Sequence, residues 1–392
     1  MNLPAGFRYS ATYAGIRKDR RDDVALIVSD APATAAAVFT LNRVQAAPVS
    51  VGRAHLLKSQ GTVRAVLVNA GNANCATRTG VAVAEACCEA LGTQLGAPAE
   101  QIFPSSTGVI GVELDGELIT AKLPELIASL SPDRFQDAAR AIMTTDTCMK
   151  TASAAVEIDG RIVSIAGMTK GSGMIHPNMA TTLGFLMTDA MLAPSEIKAM
   201  LAQAASRSYN RISVDGDTST NDTLLLMANG ASGAKPGGDS HTRFQQALDA
   251  VAGSLAEQIV RDGEGARKLI RIEVAGAADE NSAVRIGRAI ANSPLFKTAI
   301  AGSDPNWGRI LSAAGNSGAV FDPTRVQIWL QDTEVCRDGL AADFSEEELK
   351  RKLDNPECVV RFVIGGSGRG EAEFLTCDLT EKYIEINASY RT

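Results

Sequence analysis

The chain has 392 residues, of which 45% are hydrophobic and 21% charged, and a formal net charge of −7. That length supports a large core, and that composition excludes a disordered chain. With no basic block, nucleic acid and anionic membrane surfaces are excluded as partners.

The opening stretch MNLPAGFRYSATYAG has no positive region followed by an apolar core, so no secretory signal is read there. The longest charge-free stretch, 171–188, contains Pro, Asn, Ser and Gly, which rules out a spanning helix there. Seven cysteines lie scattered with no C-x-x-C pair, so neither a disulfide framework nor a zinc site is indicated, and a reducing cytoplasm fits. His55, His176 and His241 are too dispersed for a metal cluster. No metal or cofactor is expected.

Residues 1–60 mix short apolar pieces, 24–28 and 35–39, with polar turns and read as β-rich. The run 65–69 is a buried strand entering a loop of small amides, Ala70-Gly71-Asn72-Ala73-Asn74. Residues 81–92 predict a helix ending at Gly92. Next, FPSSTGVIG at 103–111 reads as a turn between strands. In it Gly108 lets a backbone N–H approach a ligand, and Thr107 adds a hydroxyl. Two such donors can hold an oxyanion, each contributing roughly 3–4 kcal/mol.

Residues 134–143 look helical and lead into the Thr/Asp-rich run TTDTCMK, after which 154–166 is strand-like. The loop from Gly167 follows, with Lys170, Gly171, Gly173, Pro177 and Asn178, and delivers threonines 181 and 182 at the mouth of an apolar strand, 183–187. On local chemistry it is a loop entering a buried strand. A threonine there can also attack the carbonyl of the residue before it. Hydrolysis of the resulting ester frees an N-terminal threonine, whose α-amine, with a pKa near ~7.7–8, serves as base for its own hydroxyl.

Residues 192–208 have helical spacing with Pro194 near the start. The run SVDGDTSTNDT, 213–223, lacks the glycine and distal glutamate of a calcium loop. A strand at 224–228, a surface loop at 235–240 and a one-striped helix at 244–259 follow. Glu264, between two glycines, is either solvated or functional, because a carboxylate is rarely buried unpaired. Residues 270–274 alternate as a half-buried strand, and 281–293 is a helix. The blocks 293–298 and 302–309 carry turn chemistry, and the Trp307 block has no assignable role. From about 326, strands at 326–330, 358–364, 372–377 and 383–386 with an acidic helix at 345–353 suggest a small sheet. GGSGRG, 365–370, reads as a hairpin loop rather than a nucleotide fingerprint.

The stretch KGSGMIHPNMATTLGF resembles the self-processing segment of the ornithine acetyltransferase family, the glutamate N-acetyltransferases of the cyclic arginine pathway. The resemblance runs almost end to end, with several separated motifs in the expected order. It implies an α+β fold, a layered α/β/β/α sandwich with a smaller C-terminal α+β domain. The corresponding domains are 1–280 and 281–392, the tail of the second returning to the site. It implies self-cleavage between Ala180 and Thr181 into chains 1–180 and 181–392; the family pattern has Met or Leu where this chain has Thr182. Thr181 is then the nucleophile, and Thr107 and Gly108 are the oxyanion pair. Thr147, Lys170, Thr181, Glu264, Asn387 and Thr392 are the substrate-binding residues. The implied reaction moves acetyl from N-acetylornithine to glutamate by a ping-pong route, with acetyl-CoA an alternative donor in some relatives. The implied assembly is a cytoplasmic heterotetramer of two alpha and two beta chains. An N-terminal-nucleophile amidase or aminopeptidase, and an uncleaved amino-acid-binding protein, are the alternatives.

Overall fold

The computed structural model describes residues 1–176 and 182–389. In chain order the strands of the first sheet are β1 (Phe7–Thr12), β2 (Val24–Phe39), β3 (Thr62–Asn72), β4 (Ile102–Val109), β5 (Lys150–Ile158), β6 (Arg161–Lys170) and β7 (Leu183–Thr188). β8 (Ile212–Ser213) belongs to a second sheet, and β9 (Thr223–Ala228) returns to the first. The first sheet runs β4-β3-β2-β9-β7-β6-β5, with β1 also on β2.

Strand β2 joins two halves of that sheet. Its first part pairs with β1 and β3, its second with β9, and the register shifts between Val28 and Ala33. Side-chain alternation then sets the layers. Ala25, Ile27, Val66 and Val68 share one core with Met168, Phe185, Met187, Leu225 and Met227, so the two halves face each other. The intervening residues point outward. Val24, Leu26, Val28 and Leu67 pack on helices α2 (Gly80–Leu95), α3 (Gly116–Thr120) and α4 (Leu123–Ala128), which follow α1 (Ala47–Lys58). α5 (Phe135–Ala141) closes the central core. Val163, Ile165, Leu186, Leu224 and Leu226 pack on α6 (Pro194–Arg207) and α7 (Asp239–Arg261). The expected α/β/β/α layering is thus realised by one sheet folded on itself.

The second sheet, β13-β12-β11-β14-β10-β15-β8, is built from β10 (Leu269–Ala277), β11 (Val326–Leu330), β12 (Thr333–Arg337), β13 (Leu340–Ala341), β14 (Glu357–Ile364) and β15 (Gly370–Cys377) together with β8. Helices α8 (Glu280–Ala291), α9 (Pro294–Ala301), α10 (Trp307–Gly315) and α11 (Glu346–Leu353) cover one face. β8 and β10 precede residue 281, so this sheet draws on chain that the sequence assigns to the main domain.

Four local expectations are corrected. Helix α2 runs through Gly92 and ends at Gly96, which takes the left-handed φ of 64°. Gly92 is there because a Cβ would lie 2.7 Å from the Ala97 carbonyl oxygen. The 365–370 loop is not a hairpin, since β14 and β15 both pair with β10, which lies between them. Residues 383–386, expected as a strand, lie in helix α12 (Glu381–Ser389), where Thr380 Oγ1 accepts from the Lys382 amide and Asn387 Nδ2 donates to the Tyr383 carbonyl. The turn-like blocks 293–298 and 302–309 hold α9 and the start of α10, with Pro294 in the first turn of α9.

Candidate active site

A cavity of about 200 Å³ opens where β4 and β6 end, and its walls include Thr107, Gly108, Lys170, Glu264 and Asn387. Thr107 and Gly108 belong to β4 rather than to a turn. Gly108 has φ +131°, and a Cβ there would lie 2.2 Å from the Gly71 carbonyl carbon, so only glycine fits against β3. Asn221 braces this corner through Nδ2, 2.6 Å from the Ala73 oxygen and 2.8 Å from the Ser106 oxygen.

Lys170 is the last residue of β6, and its Nζ donates to Thr107 Oγ1 at 3.1 Å. Burial pushes its amine down, opposed by the Asp146, Asp222 and Glu264 carboxylates. On the neighbouring strand Leu183 opens β7, opposite Lys170 on one side and Thr223 on the other. The head of β7 therefore lies beside the cavity lysine. Thr182 is buried, with Thr169 Oγ1 3.4 Å from its hydroxyl, so a polar residue is accommodated where the family pattern has Met or Leu.

The Thr/Asp-rich run is held by a buried ion cluster. Lys150 Nζ lies 2.6 Å from Asp146 Oδ1 and 2.5 Å from Asp262 Oδ2, with the lysine side chain fully buried. Asp146 Oδ1 also accepts from the Gly171 amide at 2.7 Å, which ties the cluster to the glycine loop. Burial alone would raise Asp146, but the Lys150 and Lys170 charges and these hydrogen bonds outweigh it and hold the carboxyl at about 2.

Glu264 and the tail helix meet on the far wall. Asn387 Nδ2 donates to Glu264 Oε2 at 2.8 Å, and the Glu264 amide donates to the Ser172 oxygen at 2.9 Å. Gly265, with φ +72°, leaves room for the tail, since a Cβ would lie 2.5 Å from the Tyr383 amide. Asp215 accepts from the amides of Met174 and Ile175 at 2.6 and 2.8 Å and from the Tyr383 hydroxyl at 3.3 Å. Burial raises its carboxyl despite these donors.

The structure gathers Thr107, Gly108, Lys170, Glu264 and Asn387 around one space. Thr147 stands apart from that lining. It is exposed, its hydroxyl donates to Asp262 Oδ1 and its amide to Asp262 Oδ2, while Thr144 and Thr145 line the cavity instead. Ala180, Thr181 and Thr392 lie outside the described residues. Sequence reasoning missed Asp215, Tyr383, Asp262 and Asp222. Asp222 is 2% exposed, and its Oδ2 has no hydrogen-bond partner among the described residues. The acidic, hydroxyl-rich run 213–223 was the only local signal for Asp215 and Asp222. Among the described residues no group of three His, Cys, Asp or Glu could hold a metal ion, and no helix is long and apolar enough to cross a membrane.

A small polar cavity with a hydroxyl donor, a lysine and a carboxylate on its walls is suited to a small polar substrate. A model of the ArgJ family matches residues 8–392. The arginine biosynthesis bifunctional protein ArgJ of Methylococcus capsulatus is 48% identical over 394 residues, 99% of this chain and 96% of its own. The protein of the same name from Thermus thermophilus is 48% identical and covers 100% of both chains. The crystal structure of arginine biosynthesis bifunctional protein ArgJ from Bacillus halodurans superposes with a TM-score of 0.51 at 38% identity, covering 53% of this chain and 98% of that one. This chain belongs to the ArgJ family and is an acyltransferase of arginine biosynthesis.

Proposed function

We propose that the chain cuts itself between Ala180 and Thr181 and then transfers acetyl from N-acetylornithine to glutamate through an acetyl-Thr181 intermediate. The supporting observation is a shared cavity beside the head of β7, which joins Thr107 and Gly108 to Lys170, Glu264 and Asn387. The solved Bacillus halodurans chain adds support: 98% of it matches, yet it spans only 53% of this sequence, close to the share that residues 181–392 make up.

In the cutting step the Thr181 hydroxyl attacks the Ala180 carbonyl carbon, the C–N bond breaks, and water hydrolyses the ester. The freed α-amine, a group that ordinarily titrates near ~7.7–8, is the base that accepts the hydroxyl proton in each later attack. Thr181 Oγ then attacks the acetyl carbonyl of N-acetylornithine. Thr107 Oγ and the Gly108 amide hold the oxyanion, each for roughly 3–4 kcal/mol. Ornithine leaves with the proton, and glutamate takes the acetyl group by the reverse sequence. Glu264 receives the substrate α-ammonium, Asn387 and Thr392 bind the amino-acid part with it, and Thr147 orients the run that carries Thr144 and Thr145. Acetyl-CoA is a second donor to the same threonine, and the working assembly is two alpha and two beta chains.

The test incubates purified protein with N-acetylornithine and glutamate and follows ornithine, acetylglutamate and acetate. Acetylglutamate formed in step with ornithine supports the transfer. Acetate in its place identifies an amidase and refutes it.

A further inference from the structure

We propose that Asn221 is a positioning residue of the acyl transfer: its side-chain NH2 fastens the backbone on both sides of Thr107 and Gly108, and so sets the two oxyanion donors against the chain that carries the nucleophile. The inference rests on the acyl-transfer reading above. It begins where the β3–β4 ladder becomes irregular. The two strands stay in register as far as Gly71 opposite Gly108, and the register shifts at Asn72. The donors sit at that shift, and there a side chain takes over. Asn221 Nδ2 donates to the Ser106 oxygen at 2.8 Å and to the Ala73 oxygen at 2.6 Å. The Ala73 amide in turn donates to the Val109 oxygen at 2.9 Å. Ser106 and Val109 flank the donor pair, so the links close a ring. It runs from Asn221 to Ser106, along Thr107 and Gly108 to Val109, across to Ala73 and back to Asn221.

A primary amide of this length suits the task. Its NH2 carries two hydrogens, one for each carbonyl, and its oxygen still accepts. Here Oδ1 takes the Thr220 hydroxyl at 2.6 Å. Two carbonyl oxygens on one side and a hydroxyl on the other settle which end of the amide is nitrogen. A carboxylate of the same shape has no hydrogen to offer either carbonyl. Asn221 is buried, although it borders the cavity, and buried carbonyls left without a donor are costly.

The same residue is tied to the chain that leads into β7. Two positions on, the Thr223 amide donates to the Thr182 oxygen at 2.8 Å, and the Thr223 hydroxyl donates to the Asn221 backbone oxygen at 3.1 Å. Between them the Asp222 oxygen accepts from the Thr40 amide at 2.9 Å. Asn221 to Thr223 is thus a short strut. One end holds the oxyanion corner, and the other holds the residue that follows Thr181 in sequence. Its fit decides how the donors stand to the reacting carbonyl, and a misplacement of about 1 Å there costs about 10²-fold in rate.

The test uses Asn221→Asp, which keeps the shape and, as a carboxylate, loses both donor hydrogens, in the cleaved fraction of the full protein. The expected result is a kcat lower by about 10²-fold, with KM for both amino-acid substrates within about twofold. In a Thr107→Ala background the same change should cost no more than about tenfold, because one of the donors it places is already gone. Thr220→Val removes only the hydroxyl that steadies Oδ1 and should show the same split at about threefold in kcat, which carries the test should Asn221→Asp not fold. A rise in KM with kcat unchanged, or a penalty that multiplies in full with Thr107→Ala, overturns the proposal. A second reading needs no turnover. Hydrogen exchange followed by mass spectrometry should show segment 103–111 exchanging at least about threefold faster in either variant, with α6 and β10 unchanged. Unchanged exchange at 103–111 overturns the inference, while absence of acetyl transfer by the wild type tells only against the reaction assigned above.

Discussion

A Cβ added to Gly173 would stand 2.4 Å from the Glu264 carboxyl carbon, so the glycine loop and this glutamate are fitted to each other. Gly173→Ala therefore displaces the carboxylate. KM for both amino-acid substrates should rise about tenfold, equivalent to about 1.4 kcal/mol, with a smaller change in kcat. Steady-state kinetics check this, and an unchanged KM contradicts the role given to Glu264.

The tail helix bears on the same carboxylate through Asn387. Asn387→Ala should lower kcat/KM by about tenfold or more, in keeping with about 1.5–3 kcal/mol for a hydrogen bond to a charged group. A chain ending before Glu381 also loses the Tyr383–Asp215 bond and should lose more. Kinetics of the two variants side by side make the comparison.

Thr107→Ala removes one oxyanion donor and should cut kcat by about 10²–10³ with little change in KM. Thr107→Ser keeps the hydroxyl beside Lys170 and should restore most of the rate. Loss in KM alone would reassign Thr107 to binding.

The Asp146–Lys150–Asp262 cluster makes a stability prediction with a definite sign. Asp146 sits at about 2 in the fold, below its unfolded value, so its contribution is complete above the unfolded value and is lost as pH falls through about 2. Lys150 is raised: burial works against its charge, but Asp146 and Asp262 outweigh it. Its contribution is complete below the unfolded value and is lost as pH rises through the folded one. Lys150→Met strands two buried carboxylates and should cost about 3–5 kcal/mol near neutral pH, shrinking as the acids protonate towards pH 4. Urea unfolding at pH 7 and pH 4 measures the difference.

What the sequence disclosed depended on range. Strands such as β7 and β9 and helices such as α6 and α7 carry their period within a few residues, and they were legible. Helix α12 was not. Over Tyr383 to Ile386 its few apolar residues fit two periods equally, and what decides is contact with Gly265 and Asp215, over a hundred residues away. Gly108 and Glu264 were conspicuous because glycine and a flanked carboxylate stand out locally. Asp262, in Arg-Asp-Gly, looks like any helix end; only the fold brings Lys150 to it across 112 positions.

The central claim is that the chain is opened ahead of Thr181, and intact mass of the freshly purified, denatured protein tests it most directly. Two chains whose masses match 1–180 and 181–392 are predicted, with the second gaining one acetyl group on brief exposure to N-acetylornithine. Thr181→Ala should give one uncut, inactive chain. An active wild-type protein of a single 41.0 kDa mass would contradict the account.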